Sequence, residues 1–142
     1  MKLEEYARCD ALDLAALVKR REVTPRELVD VALAAIDRVN PAIKAVIGRI
    51  DPGLVAAQIA AVHPDAPFCG VPFLIKDLVL HMAGVPCDMG SRLAAGAYVP
   101  PTDSDLMARF RRSGVISIGR TNVPEMGFNA STEPVLHGPT RN

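Results

Sequence analysis

The stretch Gly70-Val71-Pro72-Phe73-Leu74-Ile75-Lys76-Asp77 decides how this 142-residue chain folds. It follows a proline-marked loop, its apolar run suits a buried strand, and Lys76 stands at the C-terminal end of that run. On its far side, residues 81 to 102 carry Gly84, Gly90, Gly96, Pro86, Pro100 and Pro101, and read mostly as loop. Asp103 or Ser104 then caps a helix in which Leu106, Met107 and Phe110 are apolar and Asp105 can pair with Arg109. Gly114 ends that helix, Val115-Ile116-Ser117-Ile118 reads as a strand, and Gly119 leads into Arg120-Thr121-Asn122-Val123-Pro124-Glu125. Residues 135 to 142 carry no helix or strand signal and read as an interrupted end.

On the near side the signals are helical. Asp10 precedes Leu12, Leu14, Ala15, Leu17 and Val18 at helical spacing, with Lys19-Arg20-Arg21 at the favourable end of the dipole. Thr24-Pro25-Arg26-Glu27 is a capping box that opens a helix with Leu28, Ala32, Ile36 and Val39 on one face. Asn40-Pro41 is expected to stop it. Ala42 to Ile50 reads as a strand, and Asp51-Pro52 opens a helical stretch from Gly53 to Val62, ended by His63-Pro64. Helices first, then strands alternating with helices and loops, predict an α/β layered fold with a mixed or largely parallel sheet.

Composition narrows the function classes. Hydrophobic residues make up 49% and charged residues 23%, as in a soluble globular protein. Sixteen basic and sixteen acidic side chains cancel, so no basic field draws a nucleic acid directly. The apolar runs are too short for a membrane helix, and acids at Glu4 and Glu5 interrupt any secretory signal. Cys9, Cys69 and Cys87 match no common zinc pattern and read as free thiols of a cytoplasmic protein, the latter two as buried small hydrophobes.

Among the chemistry-bearing residues, Lys76 stands out. A lysine closing an apolar strand either bends out to water, the commoner case, or holds its amine in a partly apolar site. Desolvation disfavours the charged form and makes such an amine a competent general base. Asp77 would hold it charged unless strand alternation turns the two side chains apart. Ser91 and Ser131 are loop serines outside any nucleophile elbow, and His63, His81 and His137 lack a triad context. No phosphate-binding or metal-ligand motif is present, so no cofactor and no metal are expected.

Three segments together resemble the amidase-signature family. The first is Gly70 to Asp77, similar to its G-V-P-x-x-x-K-D strand. The second runs from Gly84 through Gly90-Ser91 to Asp103 and the helix ending Arg111-Arg112-Ser113-Gly114. The third is Gly119-Arg120-Thr121-Asn122-Val123-Pro124-Glu125, like G-[KR]-T-N-x-x-E, continuing to Gly138-Pro139-Thr140-Arg141-Asn142.

The resemblance implies the N-terminal portion of the amidase-signature fold, a mixed sheet with flanking helices, incomplete. Residues 1–142 would form a partial amidase domain, with 1–64 mainly helical and 65–142 the start of the α/β core. It implies hydrolysis of carboxamide C–N bonds by a Ser-cisSer-Lys mechanism with Lys76 as the lysine. The lysine accepts a proton from a bridging serine, which activates the nucleophilic serine. Met126 and Phe128 become candidate substrate contacts, with core packing the alternative for both. Thr121, Asn122 and Glu125 would brace the supporting loop, and Gly90 and Ser91 would flank the lysine as scaffold.

The family's glycine-serine stretch should follow Gly138 to Asn142, so neither serine role transfers to Ser91 or Ser131, and the isolated chain is expected to be inactive. The segments Cys87 to Arg92 and Pro124 to Gly127 lean toward the branch that includes 6-aminohexanoate cyclic-dimer hydrolases. The alternatives are an amidotransferase A-type protein that acts on glutamine and misacylated tRNA, or a non-catalytic truncated remnant. The expected partner is a small-molecule amide, with neither nucleic acid nor membrane, and a homo-oligomer of the full-length form is compatible with this reading.

Overall fold

In the computed structural model, which describes residues 1–142, the elements from Ala11 to Thr121 follow the predicted order, and a short first helix and a 3-10 turn are added to them. They are α1 (Leu3–Tyr6), α2 (Ala11–Lys19), α3 (Pro25–Ile43), β1 (Val46–Arg49), α4 (Pro52–Ala61), β2 (Pro72–Lys76), α5 (Asp105–Ser113), β3 (Ile116–Thr121) and a 3-10 turn at Glu125–Gly127. The three strands form one sheet in the order β1-β3-β2. β1 runs antiparallel to β3, with Val46 opposite Thr121, Gly48 opposite Arg120 and Arg49 opposite Gly119. β2 runs parallel to β3: Ile116 N donates to Val71 O at 2.8 Å and Asp77 N to Thr121 O at 3.3 Å, so both strands advance together. The sheet is therefore mixed, as the order of sequence signals implied.

The chain divides into two compact units that interleave along the sequence. One comprises Met1–Arg38, Ile50–Phe73 and Arg109–Ile118; the other comprises Val39–Arg49, Leu74–Ala108 and Gly119–Asn142. In the first unit, Leu14, Ala15, Leu28 and Val71 form a buried cluster, with Tyr6, Val18, Val23 and Phe68 packed against it. Phe73 and Phe110 stack with ring centroids 4.8 Å apart. Gln58 spans to β3, donating to Ser117 O and accepting from Ser117 N, both at 3.0 Å. It satisfies a buried amide and carbonyl of β3 in place of a neighbouring strand.

The caps fall where the residue chemistry put them. Asp10 accepts from Leu12 N and Asp13 N, and Asp51 accepts from Gly53 N and Leu54 N. Thr24 and Glu27 make the reciprocal bonds of a capping box, Thr24 N to Glu27 Oε2 at 2.8 Å and Glu27 N to Thr24 Oγ1 at 3.2 Å. Donation from the Thr24 amide foremost, and from the Thr24 hydroxyl at 2.8 Å, holds the Glu27 carboxyl below its ordinary value. The open choice at α5 resolves by division of labour: Ser104 Oγ accepts from Met107 N, whereas Asp103 Oδ1 accepts from Ala83 N.

Two expectations need correction. Asn40-Pro41 does not stop α3, which continues through Pro41 to Ile43. A proline this close to the C-terminus forfeits one N–H, and the Asn40 side chain clamps the start of β1, bonding both Val46 N and Val46 O at 2.8 Å. Lys44, at φ +52°, makes the turn out of the helix. The strand read over Ala42 to Ile50 shortens to Val46–Arg49, because Ala42 and Ile43 belong to α3.

Gly114 ends α5 at φ +93°, and a Cβ there would stand 2.6 Å from Ala66 Cβ and 2.9 Å from Cys69 N. Gly96, at φ +68°, has nothing within 4 Å of its Cβ position. Gly96→Ala should therefore cost about 1 kcal/mol for the backbone conformation alone, and Gly114→Ala about 3 kcal/mol once overpacking is added. Urea midpoints of the two variants check the difference. Burial raises the Cys69 and Cys87 thiols above their ordinary value, which shrinks their thiolate fraction at any given pH. Alkylation at pH about 8 followed by mass spectrometry should mark Cys9 first and reach the other two only in denaturant.

Candidate active site

Lys76 ends β2 on the exposed side, between Ile75 and Asp77, which are 2% and 1% exposed. This is the alternation of a strand, carried one residue past β2 by the Asp77 amide bonded to Thr121 O. The neighbouring carboxylate therefore turns away from the amine, as expected. Lys76 as a residue is exposed in this chain.

Asp77 points instead into a buried polar centre that sequence reasoning did not find. Arg120 Nη1 donates to Asp77 Oδ1 at 2.8 Å, to Asp88 Oδ2 at 2.9 Å and to Pro86 O at 2.9 Å. The side chains of Asp77, Asp88 and Arg120 are 0%, 9% and 12% exposed. Asp88 also receives the Gly96 amide at 2.8 Å, and the Asp88 amide donates to Asp77 Oδ1 at 3.1 Å. Burial opposes ionisation of Asp88, but the Gly96 amide and the Arg120 guanidinium outweigh it and hold its carboxyl below the ordinary value. The available signal was a pair of charges, Asp77 and Arg120, each attached to an apolar strand. It was missed because β3 was expected to end at Ile118, whereas it runs to Thr121 and carries Arg120 with it.

Ser91, Met126, Phe128 and Ser131 lie in the same unit as this centre. Ser91 is 2% exposed and donates to Glu125 Oε1 at 2.7 Å, so its hydroxyl is engaged in joining two loops. Gly90 allows the approach: at φ +65°, its Cβ position lies 2.6 Å from Val123 O. Met126 N donates to Met89 O at 2.8 Å, and both residues adopt φ +52°. Met126 and Phe128 are 49% and 92% exposed, so neither packs into a core within these 142 residues. Ser131 is exposed.

Asn122 organises the end of the chain. Its Nδ2 donates to Gly138 O and Thr140 Oγ1, each at 3.0 Å, and its amide donates to Ala45 O at 2.8 Å. Thr140 Oγ1 donates to Lys44 O at 2.9 Å and Arg141 N to Ile43 O at 2.8 Å. Residues 138–141, without regular structure of their own, are thereby placed by side-chain and backbone bonds together.

A G-V-P-x-x-x-K-D strand beside a parallel strand that carries G-R-T-N defines the class, and comparison with known proteins agrees. The amidase family profile matches residues 27–142, and the chain belongs to the amidase family. It is 35% identical over 134 residues to the 6-aminohexanoate-cyclic-dimer hydrolase of Paenarthrobacter ureafaciens, covering 94% of this chain and 27% of that enzyme. It is 34% identical over 146 residues to the A subunit of the glutamyl-tRNA(Gln) amidotransferase of Acidothermus cellulolyticus, covering 99% of this chain and 28% of that protein. The solved structure of 6-aminohexanoate cyclic dimer hydrolase complexed with substrate superposes with a TM-score of 0.87 at 33% identity, over 94% of this chain and 27% of that one. The chain thus spans little more than a quarter of the length of these relatives, their N-terminal part.

Arg120→Met keeps the side chain's length but leaves Asp77 charged in a buried place. Removing one partner of such a pair should cost about 3–5 kcal/mol, read as a lowered urea midpoint with an unchanged m-value.

Proposed function

We propose that residues 1–142 are the lysine-bearing part of an amidase that hydrolyses carboxamide C–N bonds, with Lys76 as proton acceptor for a bridging serine. The observation that carries this reading is the placement of Lys76 at the exposed end of β2 while its neighbouring carboxylate is spent on Arg120. The neighbouring carboxylate is then engaged with Arg120 rather than paired with the amine, and the face of Lys76 is open to another part of a longer amidase. The glycine-serine stretch that would supply both serines is not among these 142 residues. The chain by itself therefore binds no acyl group covalently and is inactive. Met126 and Phe128, exposed on the loop after Thr121-Asn122, are the proposed substrate contacts. Three free thiols suit a reducing, cytoplasmic setting, and no helix is long and apolar enough to cross a membrane.

Among amide substrates, the cyclic-dimer hydrolase type is favoured by the TM-score of 0.87 at 33% identity. The second reading, a protein of the amidotransferase A type, is favoured by an identity of 34% that extends over 99% of the chain. A chimera separates the two. Residues 1–142 replace the matching N-terminal part of the Paenarthrobacter hydrolase, and turnover of the cyclic dimer and of glutamine is measured. Cyclic-dimer hydrolysis that falls about 10³-fold or more with Lys76→Ala is the expected result. Glutamine turnover instead would favour the second reading, and full activity without Lys76 would remove the lysine from the mechanism. In the free chain, Lys76→Ala should shift stability by less than about 0.5 kcal/mol, as for an exposed residue.

A further inference from the structure

The polar centre around Arg120 is not fully satisfied. Asp77, Asp88 and His137 each bring one ligand-type atom to within 4.8 Å of the other two. Asp77 Oδ2 and His137 Nε2 are buried without a hydrogen-bond partner, and Asp77 as a whole is only 1% exposed. The other oxygens are in use: Asp77 Oδ1 takes Arg120 and the Asp88 amide, Asp88 Oδ1 takes the Gly96 amide, and Asp88 Oδ2 takes Arg120. Two carboxylates share one guanidinium nitrogen, and the His137 imidazole is the third group at the centre. Buried oxygen and imidazole lone pairs that converge without a donor are what a cation would use.

We propose that Asp77, Asp88 and His137 form a binding site for a divalent cation of the zinc class. The donor set decides the class, since an imidazole with carboxylates suits zinc, cobalt or nickel, whereas calcium and magnesium want six or more oxygens or waters. Zinc bonds of about 2.1 Å set ligand separations of roughly 3.4 Å, so groups that lie within 4.8 Å of one another must close in by up to about 1.4 Å. The closing element is the segment that carries His137, which has no helix or strand to resist the shift. Arg120 orients both carboxylates, while its own charge opposes a dication and weakens the site. The bound cation would tie the segment around His137, and with it Gly138 to Asn142, to the Asp77 end of β2.

The test uses the untagged 142-residue chain, stripped of metal and titrated with zinc by calorimetry and with cobalt by visible absorption. One equivalent should bind, with d–d bands of low-symmetry cobalt and a raised thermal midpoint under zinc. His137→Ala should weaken binding at least 10-fold and abolish the thermal shift. His137→Phe, which keeps a ring in place without the nitrogen, should do the same if the alanine variant fails to fold. His63→Ala should change nothing, although His63 and Asp65 lie 3.8 Å apart at the surface. Absence of binding overturns the site, leaving a direct hydrogen bond between His137 and Asp77 as the account of the two atoms. Binding that survives loss of the His137 nitrogen, or disappears with His63, also overturns it, as an adventitious surface ion only.

Discussion

A single guanidinium nitrogen, Arg120 Nη1, is shared by two buried carboxylates and a backbone carbonyl, and the local structure of its unit depends on that sharing. Desolvating three charges costs several kcal/mol per ion, and only close, charge-assisted hydrogen bonds recover it. The centre is therefore less a source of stability than a constraint on geometry. Asp77 must lie just past the end of β2, Arg120 must lie on β3, and the loop bearing Pro86 and Asp88 must fold back to both. A displaced register would strand a charge in an apolar place. Parallel pairing of β2 with β3 is thus enforced by electrostatics as well as by the ladder.

The same constraint shapes the neighbourhood of Lys76. Strand alternation gives Asp77 and Lys76 opposite faces, and Arg120 makes that division costly to reverse. An amidase lysine beside an aspartate would otherwise be held in an ion pair with its neighbour. Around this arrangement, loops without regular structure are held by specific polar bonds: Ser91 to Glu125, Met126 to Met89, and Asn122 to Gly138 and Thr140. Hydroxyl and amide side chains here position backbone, and Ser91 is engaged in doing so.

The elements most legible from residues were those whose signals are local. Thr24 to Glu27, Asp10 and Asp51 announce helix starts because a cap is satisfied within three residues of itself. The apolar run before Lys76 announces a strand for the same reason. Boundaries set by distant partners were misjudged. Pro41 looks like a terminator, yet α3 passes it because Asn40 clamps Val46; β3 looks finished at Ile118, yet Gly119 to Thr121 continue it because β1 offers Gly48 and Arg49 as partners.

Sequence by itself determined the amidase relationship and the order of the main helices and strands, since each rests on types and spacings within a short window. Only the tertiary structure decided what Asp77, Asp88, Arg120 and His137 do. They are separated along the chain by up to 60 residues (Asp77 to His137), and no local pattern links them. Charges so far apart become partners only when strand pairing and loop closure bring them together out of water, where each must find an opposite charge.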